Sequence, residues 1–429
     1  MPPILKPWPV GNMKALRRSN PGWLWLGIVL AGSGLAAGSA LAADDYRFDI
    51  TVDFSAPQTV QGCVAVSLRV KQTARSLRRL RWPIDARFAA LAGDGLTLDG
   101  QWVTWNVPAG GGRLRYCAQL NQTAGNGRYT SRLTTDWAVF RGDDLVPAAR
   151  TVTAKGARSI TTLRFVLPQA WSVVTRYRQA AANGRIQIDN PRRRFDRPTG
   201  WMTAGELGVR RERLGAVQVT VAGPRDHGLR RMDLIAMLGY HLPMLSEKFG
   251  GFPERLLVVG ADEKMWYGGL SGPASLFINA ELPLISENGT SVLLHELVHI
   301  ALGRSAAPSA DWIVEGLAEY VGLDLLRTSG GITERRFEHS VQALARWGAK
   351  AERLDVERAT GAVTARAATL FAALHRELGD ADFERFLERL ASGHGPLAPP
   401  EVAHAAATVL GHPSQTLAGL EATQVQTKD

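Results

Sequence analysis

His295, Glu296 and His299 form the pattern His-Glu-x-x-His inside Ser291–Gly303, SVLLHELVHIALG. Residues four apart share one face of a helix, so both imidazoles can bind a single metal ion. Glu296, one residue past the first imidazole, is placed to take a proton from a water beside that metal without using a coordination position. That is the chemistry of a zinc hydrolase, with two ligands from one helical turn and a general base between them. Chance produces the pattern in roughly one such chain in a hundred. Apolar residues flank it on both sides, so its helix is expected to be buried, and a buried Glu between two His requires a partner. Glu315, within Trp312–Tyr320 (WIVEGLAEY), offers a third ligand from a second helix.

The elements that must hold these residues fill residues 224–429, read as the catalytic domain. Leu229–Phe249 has helical spacing, with Leu234, Leu238, Leu242 and Leu245 on one stripe. Arg255–Gly260 is a short buried strand. The run Trp266–Ile278 is rich in glycine, which lets backbone approach a ligand closely. Ala274–Ile278 within it reads as an edge strand, able to take an extended peptide by strand addition. Gly268, Gly269, Leu270 and Ser271 are the candidate substrate-binding residues. Beyond the ligands the chain is helical, over Glu334–Trp347, Val363–Leu378 and Asp382–Leu390.

Residues 44–223 read instead as a β-sandwich-like domain. Tyr46–Phe54 and Cys63–Val70 alternate apolar and polar with period two. Asp99-Gly100 is a hairpin signal between alternating runs. Gly112–Leu120, Thr161–Leu167 and Val217–Val221 complete the series, with no catalytic constellation among them. Both cysteines, Cys63 and Cys117, fall in this domain and read as a disulfide of an exported protein.

Charge is divided between the halves. Residues 43–223 carry 27 Lys+Arg against 14 Asp+Glu, a net of +13, and residues 224–429 carry 19 against 26, a net of −7. The arginines alternate with apolar residues, as on the solvent faces of strands, and no basic stripe with interleaved aromatics is present. No nucleic-acid partner is therefore expected. Residues 1–43 read as a cleaved signal peptide. Lys14, Arg17 and Arg18 precede the apolar stretch Trp23–Leu35, and Ala40-Leu41-Ala42 is a cleavage site. The expected location is periplasmic or secreted, with no transmembrane segment after cleavage; an uncleaved membrane anchor is the alternative. Oligomeric state is not legible.

HELVH followed by WIVEGLAEY resembles the gluzincin metallopeptidases, whose third zinc ligand is a Glu from a second helix. Tyr267-Gly268-Gly269-Leu270-Ser271 resembles the Tyr-Gly-Gly-Leu-Glu-His segment of the glycyl aminopeptidase family. Phe195–Met202 and Leu167-Pro168-Gln169-Ala170-Trp171 resemble that family's β-domain. The resemblance implies an α+β multidomain chain, its N-terminal β-domain set on a thermolysin-like, mostly helical zinc metallopeptidase domain. The chain is too short for the PDZ domain with which family members often end. Carried over by position, His295, His299 and Glu315 bind one Zn2+ per chain, Glu296 activates water, and Glu319 orients a zinc-bound His.

Two departures stand out. Ser271 occupies the place where the aminopeptidases hold the substrate's free amine with a Glu. No Tyr follows Tyr320, although the family uses a downstream Tyr to stabilise the oxyanion. Thr364 stands near the expected position, and Arg366 and His375 are the candidate replacements. The expected function is zinc-dependent hydrolysis of peptide bonds in a peptide or protein substrate, exo- or endopeptidase being open. The alternative is a weakly active or inactive zinc-fold protein that binds peptides as a scaffold.

Overall fold

The alternation in the first half of the chain is realised as three β-sheets. The computed structural model describes residues 45–56, 62–178, 184–190, 194–262 and 264–418, so the expected signal peptide lies outside the described residues. One sheet of six strands runs, in spatial order, through Ile186–Ile188, Ser159–Val166, Tyr46–Asp53, Cys63–Lys71, Gly111–Gln119 and Phe88–Gly93. Tyr46–Asp53 shows why: every second side chain is buried, and these apolar residues form the inner face. The expected hairpin is present, with Asp99 opposite Trp102 and Gly100 at φ 55° in the two-residue connection. It belongs to a four-stranded sheet, and Trp137–Arg141 and Trp201–Gly205 pair in a five-stranded one. Cys63 and Cys117 are joined, their Cα atoms 5.5 Å apart on adjacent strands. Closing a loop of 54 residues stabilises by roughly 4 kcal/mol through the entropy of the unfolded chain.

A further five-stranded sheet supports the helices, in the order Leu207–Leu214, Val217–Pro224, Arg255–Ala261, Ser275–Asn279, Gly269–Gly272. Two expectations change here. Val217–Val221, read as the last strand of the β-domain, pairs in parallel with Arg255–Ala261 and so lies in the sheet beneath the helices. Such a pairing requires a crossover, and helix Arg231–Lys248 supplies it. Ala274–Ile278 is not the edge: Ser275–Asn279 is interior and wholly buried, and the half-buried Gly269–Gly272 is the edge strand.

The helices follow their spacing closely. Arg231–Lys248, Glu334–Gly348, Ala362–Leu378 and Asp380–Ser392 cover the predicted segments, and Pro399–Leu410 is an additional one. Helix Val292–Leu302 carries the His-Glu-x-x-His pattern. Ser291 caps it by accepting from Leu294 N–H, and Gly303, left-handed at φ 64°, ends it. Helix Asp311–Thr328 lies beside it through close approaches at small residues. A Cβ on Gly322 would stand 3.3 Å from His295 N, and against helix Ala362–Leu378 one on Gly316 would stand 2.5 Å from Ala367 Cβ. No helix among the described residues is long and apolar enough to cross a membrane.

Candidate metal centre and cleft

Glu315, Glu319 and Gly322 recur at intervals of four and three, so they share the face of helix Asp311–Thr328 turned to helix Val292–Leu302. The close approach at Gly322 brings both carboxylates onto the histidines. His295 Nδ1 is 3.2 Å from Glu319 Oε2, which fixes a proton on Nδ1 and, in the neutral ring, leaves the Nε2 lone pair free. That Nε2 lies 3.2 Å from His299 Nε2 and 3.3 Å from Glu315 Oε2, and His299 Nε2 lies 3.5 Å from Glu315 Oε1. Ligand atoms of all three residues fall within 4.8 Å of one another.

The fit to zinc is geometric. Two nitrogens about 2.0–2.1 Å from one tetrahedral ion stand about 3.3 Å apart, close to the 3.2 Å between the two Nε2 atoms. The electrostatics agree. Burial disfavours charge on His295, yet Glu315 and Glu319 outweigh it and lift the imidazole to about 10. Burial, and His295 beside it, push His299 down to about 4. Burial also works against the Glu315 carboxylate, but His295 and His299 hold it below its ordinary range. The cluster favours one positive charge at its centre, a charge that a divalent cation could supply.

Glu296 is buried on the same helix but points elsewhere. Its carboxyl is pushed up, chiefly by burial; His295 opposes the rise, Glu315 adds to it, and hydrogen bonds from the Ser271 hydroxyl and backbone N–H oppose it. Ser271 thus faces Glu296. A Cβ on Gly269 would meet Glu296 Cγ at 2.4 Å, so only glycine lets the edge strand lie this close. Asn279 N–H donates to Gly268 O, and antiparallel pairs alternate between bonded and unbonded. With Leu270 opposite Phe277 and Ser271 opposite Leu276, Gly269 and Ser271 turn their backbone groups to the free edge.

Edge strand and metal triad line one cleft of about 820 Å³, together with Trp266, Arg304, Asp311 and Arg358–Thr360. Gly269, Leu270 and Ser271 line it; Gly268 lies behind, against the Trp266 indole. The two candidate oxyanion donors do not enter it. Arg366 donates to Ala351 O and Glu352 O, at 2.7 and 3.0 Å, which pins it to the connection before its helix. His375 is buried between Tyr320 Oη at 2.7 Å and Asp380 at 2.9 Å, stacked on Phe383. Both stand on helix Ala362–Leu378, where placing by spacing missed the orientation of the helix.

Two contributors escaped the sequence reading. Trp201, from the β-domain stretch Phe195–Met202, donates its indole N–H to Leu270 O at 2.6 Å and its backbone N–H to Ser275 Oγ at 2.9 Å. It packs at a tilt against Phe277, so the β-domain braces the edge strand. Arg358 lies in an irregular connection and has no local pattern to announce it.

The chain resembles several solved structures. It is similar to an M1 zinc metallopeptidase from Deinococcus radiodurans, 19% identical over 89% of this chain and 92% of that one, with a TM-score of 0.58. A mutant of a two-domain M1 zinc metallopeptidase bound to L-tryptophan matches at 18% identity, 89% and 93% coverage and a TM-score of 0.59. An aminopeptidase N family protein from Idiomarina loihiensis matches at 15% identity, 85% and 72% coverage and a TM-score of 0.60. No family model and no curated protein sequence matches. What is shared is the fold, a β-rich N-terminal domain followed by a helical one, as in the gluzincin aminopeptidase-like enzymes.

Proposed function

From the fold of the M1 zinc metallopeptidases as premise, we propose that this chain is an exported zinc peptidase. Its strands through Trp201–Gly205 form the β-domain, and the sheet that starts at Leu207–Leu214, with the helices after it, forms a thermolysin-like catalytic domain. One observation carries the reading: three lone-pair donors, His295 Nε2, His299 Nε2 and a Glu315 oxygen, converge within 4.8 Å beside a buried Glu. His295, His299 and Glu315 would hold one Zn2+, and Glu319 keeps the His295 ring in the tautomer that offers Nε2. The metal, when bound, supplies Lewis acidity toward the scissile carbonyl.

The protein's own groups do the rest. A peptide laid along the cleft adds to the free edge, where Gly269 presents its N–H and carbonyl and Ser271 its carbonyl, the Ser271 N–H being held by Glu296. Glu296 takes the proton of the attacking water. Burial raises its affinity for that proton, which suits it to pass the proton on to the leaving amine. Ser271 holds the carboxylate through its hydroxyl and N–H. The reading of residues 1–43 as a signal peptide, together with the disulfide, supports export.

The test is digestion of a mixed peptide library by purified residues 43–429 with zinc, read by mass spectrometry against Glu296→Gln. Cleavage that disappears in the variant supports the peptidase. One bound zinc with no cleavage would favour the scaffold reading instead, and Ser271 in place of an acid is the feature behind it.

A further inference from the structure

The charges lining the cleft are unevenly employed. Its three acids are all committed. Glu315 faces both histidines, Glu296 is buried against Ser271, and Asp311 accepts Ala359 N–H at 2.8 Å. No carboxylate among the described cleft residues is left to receive a substrate ammonium. Of the two cations, Arg304 is spent on structure. It grips Glu401 with both terminal nitrogens, at 2.7 and 2.8 Å, and donates to the carbonyls of Leu390, His394 and Gly395. Arg358 differs. It is exposed and lines the cleft, and among the described residues it has no hydrogen bond or ion pair. Its backbone is nevertheless held, because the next residue, Ala359, is buried and tied to Asp311 on the Glu315 helix. An unpaired guanidinium on a fixed stem beside the reaction centre has a planar donor pair suited to a carboxylate.

We propose that Arg358 is a specificity-determining residue that binds a carboxylate of the substrate, so that the enzyme acts on anionic peptides rather than selecting a free amino terminus. The inference rests on the peptidase reading and names its substrate class. The edge strand packs against Glu296, and Arg358 lines the same cleft. A peptide paired with the edge strand and held by Arg358 would lie along the cleft that the metal triad also lines. The carboxylate is either an acidic side chain or the carboxyl terminus of a short peptide, and both present the same two oxygens.

The experiment uses four peptide pools, identical except for Glu or Gln at fixed positions and a free or amidated C-terminus. Each is digested by zinc-loaded wild type, Arg358→Gln and Arg358→Lys. Wild type should favour anionic pools by about ten- to hundredfold in kcat/KM, as a charge-assisted bond implies. Arg358→Gln should lose at least tenfold more on anionic than on neutral pools, and Arg358→Lys should recover part of the difference. A preference that follows Glu over Gln identifies a side chain, and one that follows acid over amide identifies the terminus. Equal losses on all pools would overturn the proposal by placing Arg358 on a group common to every substrate, and absence of any preference in wild type would overturn it too.

If wild type cleaves nothing, the peptidase reading fails and retention decides the proposal. Immobilised zinc-loaded Glu296→Gln protein should retain anionic over neutral peptides, and the same protein with Arg358→Gln should not. Equal retention would overturn anionic recognition.

Discussion

Two histidine clusters flank the same helix, Asp311–Thr328, and they are built on opposite principles. On one face His295 and His299 aim nitrogens at each other and at Glu315. On the other, Tyr320 bonds to His375 Nδ1 and His375 Nε2 bonds to Asp380. The second cluster alternates donor and acceptor, so each group satisfies the next and the chain is closed. Burial lowers the His375 pKa and raises that of Tyr320, as expected for groups that remain neutral. The first cluster cannot close in that way while His295 is neutral; it needs a positive charge, which Glu315 and Glu319 favour at that imidazole. With the His295 proton engaged by Glu319, its remaining lone pairs converge on one point. Converging acceptors need a cation, whereas alternating partners need nothing. That difference, more than the presence of histidines and carboxylates, separates a metal centre from a structural network.

The comparison can be broken most decisively at Glu296. Glu296→Gln should keep its zinc and lose cleavage by about 10²- to 10⁴-fold, the span of general-base contributions, in a peptide assay. Gly269→Ala comes next. Its Cβ would overlap Glu296 Cγ at 2.4 Å, so the edge strand or the carboxylate must shift. A misplacement of this order costs about hundredfold in turnover, with zinc content by atomic absorption unchanged. Glu319→Gln should weaken zinc binding by about 10- to 100-fold in competition with a chelator, the usual consequence of losing a ligand's hydrogen-bond partner. His375→Gln is the smallest and the sharpest contrast. Breaking the closed chain should cost about 1–3 kcal/mol in urea unfolding and leave zinc affinity at the wild-type level. A fall in zinc affinity there would undo the distinction between the clusters.

The candidate metal centre was legible because its information is local. His295, Glu296 and His299 lie within two turns, and Glu315 and Glu319 repeat the spacing on the next helix. Helix and strand positions were legible for the same reason, through periodicity and punctuation such as Asp99-Gly100. What failed depends on partners far away in the chain. Val217–Val221 looks like any other alternating strand, and only its pairing with Arg255–Ala261 assigns it to the sheet beneath the helices. Ser275–Asn279 and Gly269–Gly272 are adjacent in sequence, and which one is outermost is decided by the parallel partner of the first. Arg366 and His375 have suitable chemistry on the expected helix, but its rotation turns one to the backbone of a connection and the other to Tyr320. Trp201 reaches Leu270 across 69 positions, which no window of sequence detects.

The central claim, that one histidine cluster requires a cation and the other does not, is tested most directly by zinc content after dialysis against a weak chelator, measured on wild type, Glu315→Gln and His375→Gln. The account predicts one zinc per chain in wild type and in His375→Gln, and none in Glu315→Gln. Zinc retained at the wild-type level without the Glu315 carboxylate, or no zinc in the wild-type chain, would contradict it.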